Sequence, residues 1–266
     1  MSEFGGYHTI RVASDDDGWI VFLTLDRPHV RNAIDRLLAA ELHEACARLA
    51  DDQIVRAVIV FGAGEQAFCA GADLSERLAA SPEERIAHMN AIEAAVEALA
   101  ALPMPTVAAV RGFALAGGAE IAIACDLRVA AGDAVLGFPE IRIGIFPGAG
   151  GAHRLPRLIG DGAARDLLFT GRRVEASEAF RLGLVDRVVP ADQVMTTALG
   201  LAREIAANAP LAVRAVKQAV ERSHGLPTAD ARGVVYPLRA ALDATADYEE
   251  GLKAFAERRA PTFEGR

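Results

Sequence analysis

Two glutamates sit where an ordinary core would not place a carboxylate. Glu120 follows Ala116-Gly117-Gly118-Ala119 and precedes Ile121-Ala122, in the first turn of an expected alanine-rich, buried helix. Glu140 comes directly after Pro139 in the apolar stretch Leu136-Gly137-Phe138. A buried carboxylate is costly unless it is paired, hydrogen-bonded or functional. Two close carboxyl groups in an apolar pocket raise at least one pKa, which lets one give a proton while the other takes one. Taken alone, each glutamate reads equally well as a helix-start acid facing the helix dipole.

Three glycine-rich segments accompany them. Ala67-Phe68-Cys69-Ala70-Gly71-Ala72-Asp73-Leu74 offers small residues that let a ligand approach the backbone, ahead of a helix start. Its plainer reading is a strand-to-helix turn with Asp73 as the cap. The second is Gly112 to Ala122, around Glu120. The third joins Leu136–Glu140 to Gly144-Ile145-Phe146-Pro147-Gly148-Ala149-Gly150-Gly151. None ends in the Lys-Ser/Thr of a phosphate loop, and no Gly-x-Gly-x-x-Gly follows the first strand. His153, after the third cluster, reads as a surface or helix-start histidine, and Cys69 as packing.

The elements that must position these groups follow from pattern. Thr9–Ala13 and Trp19–Leu25 flank the turn Asp15-Asp16-Asp17-Gly18, a hairpin signal. Leu38, Leu42, Cys46 and Leu49 recur at helical spacing, predicting a helix from about Asp35 to Leu49. Val55–Phe61 and Thr106–Val110 are apolar strands. Between them Ser81-Pro82-Glu83-Glu84 opens a helix that Pro103 and Pro105 stop near Leu102. Strand and helix alternate to about Val189, and helices alone follow, broken near Pro210, Gly225-Leu226-Pro227 and Asp247. The expectation is an α/β core over 1–190 and a helical region over 191–266.

Composition bounds the function. The chain has 266 residues, 52% of them hydrophobic, enough for one large domain or one with an extension. Its net charge of −8 disfavours nucleic-acid binding. Cys46, Cys69 and Cys125 have neither paired nor metal-like spacing, which suits a reducing compartment. Met1–Gly18 lacks the apolar stretch of a signal peptide, and no run long enough to span a membrane occurs. A soluble cytoplasmic protein is expected.

Together the three segments resemble the crotonase, or enoyl-CoA hydratase/isomerase, superfamily. Phe68–Asp73, Ala116–Glu120, and Phe138-Pro139-Glu140 with Pro147–Gly151 carry the likeness. Leu25-Asp26-Arg27-Pro28, Asn32-Ala33, Thr170-Gly171, Ala179, Gly183-Leu184-Val185, Glu250-Gly251 and Phe255–Arg259 extend it along nearly the whole chain. The resemblance implies a spiral of repeated ββα units with a helical C-terminal region.

It also implies an enzyme of lipid metabolism that takes an acyl-CoA thioester and holds its carbonyl oxygen on the backbone N–H groups of Ala70 and Gly117. Glu140 is the implied acid/base at Cα and Glu120 the activator of water, with the Gly148 N–H helping to hold that water. The coenzyme A portion would lie along His29-Val30-Arg31 and Ala70-Gly71-Ala72-Asp73-Leu74, with Arg27 and Arg31 offering charge. Phe255 and Arg258 would serve its adenine and phosphate end, reaching over a neighbouring subunit in a homotrimer or a pair of trimers. No metal and no cofactor beyond the substrate's own coenzyme A is implied.

Two glutamates together favour an enoyl-CoA hydratase, adding water in the syn sense to give a 3-hydroxyacyl-CoA. The alternatives are a Δ3-Δ2-enoyl-CoA isomerase and the methylglutaconyl-CoA hydratase branch, which the Gly71–Arg77 stretch resembles. Ala116 replaces a third glycine common in the family, and Phe138 a common glutamine.

Overall fold

The computed structural model describes residues 2, 3 and 5–266. Strands β1 (Ser2–Glu3), β2 (Ile10–Ser14) and β3 (Ile20–Leu25) form an antiparallel meander, with the expected hairpin between the second and third. Gly18 closes its turn with φ +73°, a conformation glycine adopts freely. Helix α1 (Arg36–Ala50) starts on Asp35, whose side chain accepts from the Leu38 N–H, and buries Leu38, Leu42, Cys46 and Leu49.

From there the chain repeats one move. Strand β4 (Ala57–Gly62) is followed by β5 (Ala67–Cys69), then by helices α2 (Leu74–Ala79) and α3 (Pro82–Ala100). Ser81 caps α3 as expected, and Glu84 reaches back to the Ser81 N–H to complete a reciprocal cap. Strands β6 (Thr106–Val110) and β7 (Phe113–Leu115) lead into α4 (Gly117–Ala124). Strands β8 (Leu127–Ala131) and β9 (Val135–Gly137) lead into α5 (Gly151–Ile159) and α6 (Asp161–Thr170). The last turn adds β10 (Arg173–Glu175), α7 (Ala176–Leu182) and β11 (Arg187–Val189).

Each repeat sends its first strand to one sheet and its second to another. The large sheet runs β1-β2-β3-β4-β6-β8-β11 and is parallel from β3 onward; the small one runs β10-β9-β7-β5. The chain thus winds as the ββα spiral that the resemblance implied. Apolar strands such as Thr106–Val110, buried at every position, form its core.

Only helices follow β11: α8 (Val194–Ala206), α9 (Pro210–Ser223), α10 (Thr228–Ala240) and α11 (Ala246–Glu257). The boundary expected at residue 190 is not a packing boundary. Helix α8 lays Val194, Ala198, Leu201, Ala202 and Ala206 against the large sheet, so the core extends beyond it. Among the described residues, no helix is long and apolar enough to cross a membrane.

Candidate active site

The starts of α2 and α4 meet at the end of the small sheet. A Cβ on Gly118 would stand 2.1 Å from the Cys69 carbonyl oxygen, so only glycine lets α4 press against β5 this closely. Behind them the buried Asn32 ties the loops together. Its Nδ2 donates to the carbonyls of Ala63, Ala67 and Phe68, and its Oδ1 accepts from the Arg27 N–H.

This arrangement leaves two backbone amides free side by side, one of them not the expected one. The Ala70 N–H donates to the Arg31 carbonyl at 3.0 Å, so the oxyanion role expected for Ala70 is corrected. Two residues on, the Ile34 N–H donates to Gly71 O and the Asp73 N–H to Ile34 O, both at 2.8 Å. The Ala72 N–H between them has no partner. The Gly117 N–H opens α4 and is likewise unpartnered, as first-turn amides are. A Cβ placed on Gly117 would lie 3.8 Å from the Ala72 nitrogen, which fixes how near the two amides are. Ala116 holds the junction at φ 51°, ψ −128°, a strained conformation for a residue with a Cβ.

Both glutamates are buried beside this junction. Glu120 is 3% exposed and Glu140, on the 3-10 turn Pro139–Ile143, is 7% exposed. Burial pushes the Glu120 carboxyl up to about 7, against the pull of the Gly151 and Ala149 amides and the Arg154 guanidinium. The Gly151 N–H donates to its Oε1 at 2.9 Å. Burial also pushes Glu140 up to about 7, against the pull of its own backbone N–H; the Glu120 charge adds to the rise and Arg77 opposes it. Its Oε2 is enclosed and has no hydrogen-bond partner. Glu120 is held by the Gly151 and Ala149 donors, whereas Glu140 has its own backbone N–H and keeps one oxygen unpartnered.

The remaining expected residues fall into distinct places. Arg27 is engaged inside the protein, pairing with Asp35 and with Asp73 at 3.1 Å each and donating to the Ala33 carbonyl. Asp73 caps α2 as the plainer reading held, accepting from Ser75 and Glu76. His29, Arg31 and Leu74 are exposed near that helix start, Val30 is half-buried, and Gly71 lies beneath Ala116. The Gly148 amide is unpartnered, next to the Ala149 amide that serves Glu120. His153 is exposed and faces Glu97, away from the pair. Cys69 is buried, and burial drives its thiol up to about 12, which suits packing. Phe255, 86% exposed, lies on α11, and the exposed Arg258 is its C-cap. Sequence reasoning gave no role to Arg77, although its place one helical turn after Asp73 is a readable signal.

A family model described as enoyl-CoA hydratase/isomerase matches residues 16–266. The chain belongs to this family. It is 41% identical to the human mitochondrial enoyl-CoA hydratase domain-containing protein 2, over 97% of this chain and 89% of that one. It is 38% identical to methylglutaconyl-CoA hydratase 1 of Pyricularia oryzae, over 94% and 84% of the two chains. The crystal structure of enoyl-CoA hydratase from Bacillus anthracis superposes with a TM-score of 0.95 at 39% identity, covering 97% of this chain and all of that one. The crotonase fold therefore stands on both the ββα topology and these likenesses.

Proposed function

We propose that the protein adds water across the double bond of a 2-enoyl-CoA thioester, in the syn sense, to give a 3-hydroxyacyl-CoA. The observation that carries this reading is the meeting of two buried glutamates, both raised to about 7, with the unpartnered amides of Ala72 and Gly117. The thioester oxygen lies on those two N–H groups, where they stabilise the charge that grows as the Cα–Cβ bond is attacked. One such preorganised donor contributes about 2.7–4 kcal/mol.

Glu120, fixed by Gly151, accepts the proton of the attacking water as its oxygen bonds to Cβ. Glu140, protonated, delivers a proton to Cα. Proton exchange with solvent then restores the pair, which titrates as a unit. The free Gly148 amide is placed to hold the same water. None of these steps calls on a metal or a further cofactor.

Coenzyme A enters past His29, Val30 and Arg31 and along Ala70 to Leu74, with Arg31 offering charge to its phosphates. Arg27 acts on the same loop through its ion pairs. The exposed Val216, Val220, Val235, Tyr236, Leu252 and Phe255 on α9–α11 form apolar surface of the kind that association covers. On this reading the chain forms a homotrimer or a pair of trimers, in which Phe255 and Arg258 reach a neighbour's coenzyme A site. The expected cytoplasmic setting belongs to the same proposal.

A second reading, Δ3-Δ2 isomerisation, is favoured by the bare Oε2 of Glu140, which is free to carry a proton between carbons. A panel of 2-enoyl and 3-enoyl thioesters followed by product analysis separates the two. Water addition to crotonyl-CoA supports hydration. Double-bond migration without water uptake overturns it.

A further inference from the structure

One buried histidine lies behind the two free amides and takes no part in the steps above. Helix α3 turns His88, Ile92, Ala95, Val96 and Leu99 inward, and His88 is the polar member of that stripe. It is 2% exposed, and its Nε2 lies 2.9 Å from the Ile34 carbonyl oxygen. A carbonyl only accepts, so Nε2 carries the hydrogen and donates it. Nδ1 is enclosed and has no hydrogen-bond partner among the described residues. Glu76 Oε2, 3.8 Å from Nε2, is beyond hydrogen-bond reach and accepts from the Arg36 N–H. Burial pushes the imidazole pKa down and the Arg77 charge adds to this, against Glu76, the Ile34 carbonyl and Asp35. The neutral ring therefore holds one donor, aimed at Ile34. Leucine would fill the stripe without leaving an enclosed acceptor bare, so the donor is what the histidine adds.

Ile34 is the residue that brackets the Ala72 amide. Its N–H donates to Gly71 O and its carbonyl accepts from the Asp73 N–H, both at 2.8 Å, in a parallel bridge to Ala72. In that pattern the N–H of Ala72 itself points away from Ile34. The Ile34 side chain also lies against the second amide, since a Cβ on Gly117 would stand 3.1 Å from its Cδ1. His88 gives the Ile34 carbonyl its second donor, so α3 clamps the residue that touches both.

We infer that His88 is a positioning residue, holding the Ile34 carbonyl and through it the aim of the Ala72 N–H at the thioester oxygen. The assignment rests on the proposed oxyanion site and adds to it a residue that touches no substrate.

The test compares full-length wild type with His88→Leu, which suits the apolar stripe but removes the donor, and with His88→Gln. Glutamine carries an amide N–H as many bonds from Cα as the Nε2 of histidine. Two quantities are read: crotonyl-CoA hydration, and the infrared carbonyl stretch of bound butyryl-CoA isotopically labelled at the thioester carbon. Butyryl-CoA has no double bond to hydrate, and the stretch is read per bound molecule, so neither turnover nor an unfolded fraction enters. Hydrogen bonds to the oxygen weaken the carbonyl bond, so wild type is expected to lower the stretch on binding. His88→Leu is expected to lose part of that shift and roughly 10–100-fold in kcat, with KM changed by less than about threefold. His88→Gln is expected to restore most of both. A full shift and full kcat in His88→Leu, or equal losses in the two variants, overturns the assignment alone. No shift in wild type overturns the oxyanion site and the assignment with it. A shift without hydration overturns the hydratase reading, and the stretch in the variants then decides the role of His88.

Discussion

The backbone amide of Gly151 donates to Oε1 of Glu120 across 2.9 Å. The first turn of α5 thereby holds a carboxylate rooted in the first turn of α4, and two segments some thirty residues apart become one site. Glu140 has no comparable donor on its Oε2. Hydrogen bonds to an ionised carboxylate favour its charged form, whereas an enclosed oxygen without a donor favours the proton. Both carboxyls are nonetheless raised to about 7, and the proposed reading assigns the base to Glu120 and the acid to Glu140.

These carboxyls oppose folding at neutral pH. Each rises from 4.5 to about 7 in the folded protein, chiefly by burial. The folded state binds the proton more tightly than the unfolded one, so stability falls as pH climbs from the unfolded value through the folded one. Glu120→Gln and Glu140→Gln are each expected to raise the unfolding free energy by about 1–3 kcal/mol near pH 8, and by little near pH 5. Urea unfolding at the two pH values checks this, and equal effects at both would contradict it.

The same titrations shape activity. The working form holds one proton between the two carboxyls, so kcat/KM is expected to be bell-shaped, with its maximum near about pH 7. Protonating Glu120 removes the acid side, and deprotonating Glu140 removes the alkaline side. A profile flat from about pH 5 to about pH 9 would show that neither group titrates in the reaction.

The junction of α4 with β5 tolerates no side chain. A Cβ on Gly118 falls 2.1 Å from Cys69 O, a fixed backbone atom. Gly118→Ala must push α4 outward, carrying the Gly117 amide and Glu120 with it. A loss in kcat/KM of about a hundredfold is expected from an ångström of displacement. Kinetics alongside thermal unfolding test it, and near-normal turnover would mean that the amides need not be held so closely.

The glutamates were legible in the sequence because a charge flanked by alanine, glycine and proline conflicts with its surroundings. The hairpin, α1 and the capped start of α3 were legible because turn, periodicity and cap signals are local. The choice between Ala70 and Ala72 was not. Both lie in one run of small residues, and what separates them is that Arg31, distant in sequence, brings its carbonyl to Ala70 N at 3.0 Å. Arg27 was misleading for a similar reason, because Asp73, which holds it, is remote along the chain. The division into two sheets was equally hidden, since β5, β7 and β9 are three residues each and carry no period of their own.

The central claim is that Glu120 and Glu140 act together on water and Cα. Steady-state hydration of crotonyl-CoA by wild type, Glu120→Gln and Glu140→Gln tests it most directly, because the exchange keeps side-chain shape and removes only the proton chemistry. Each variant is expected to lose roughly 10²–10⁴ in kcat, with a much smaller change in KM. Full hydratase activity in the Glu120→Gln protein would contradict the account.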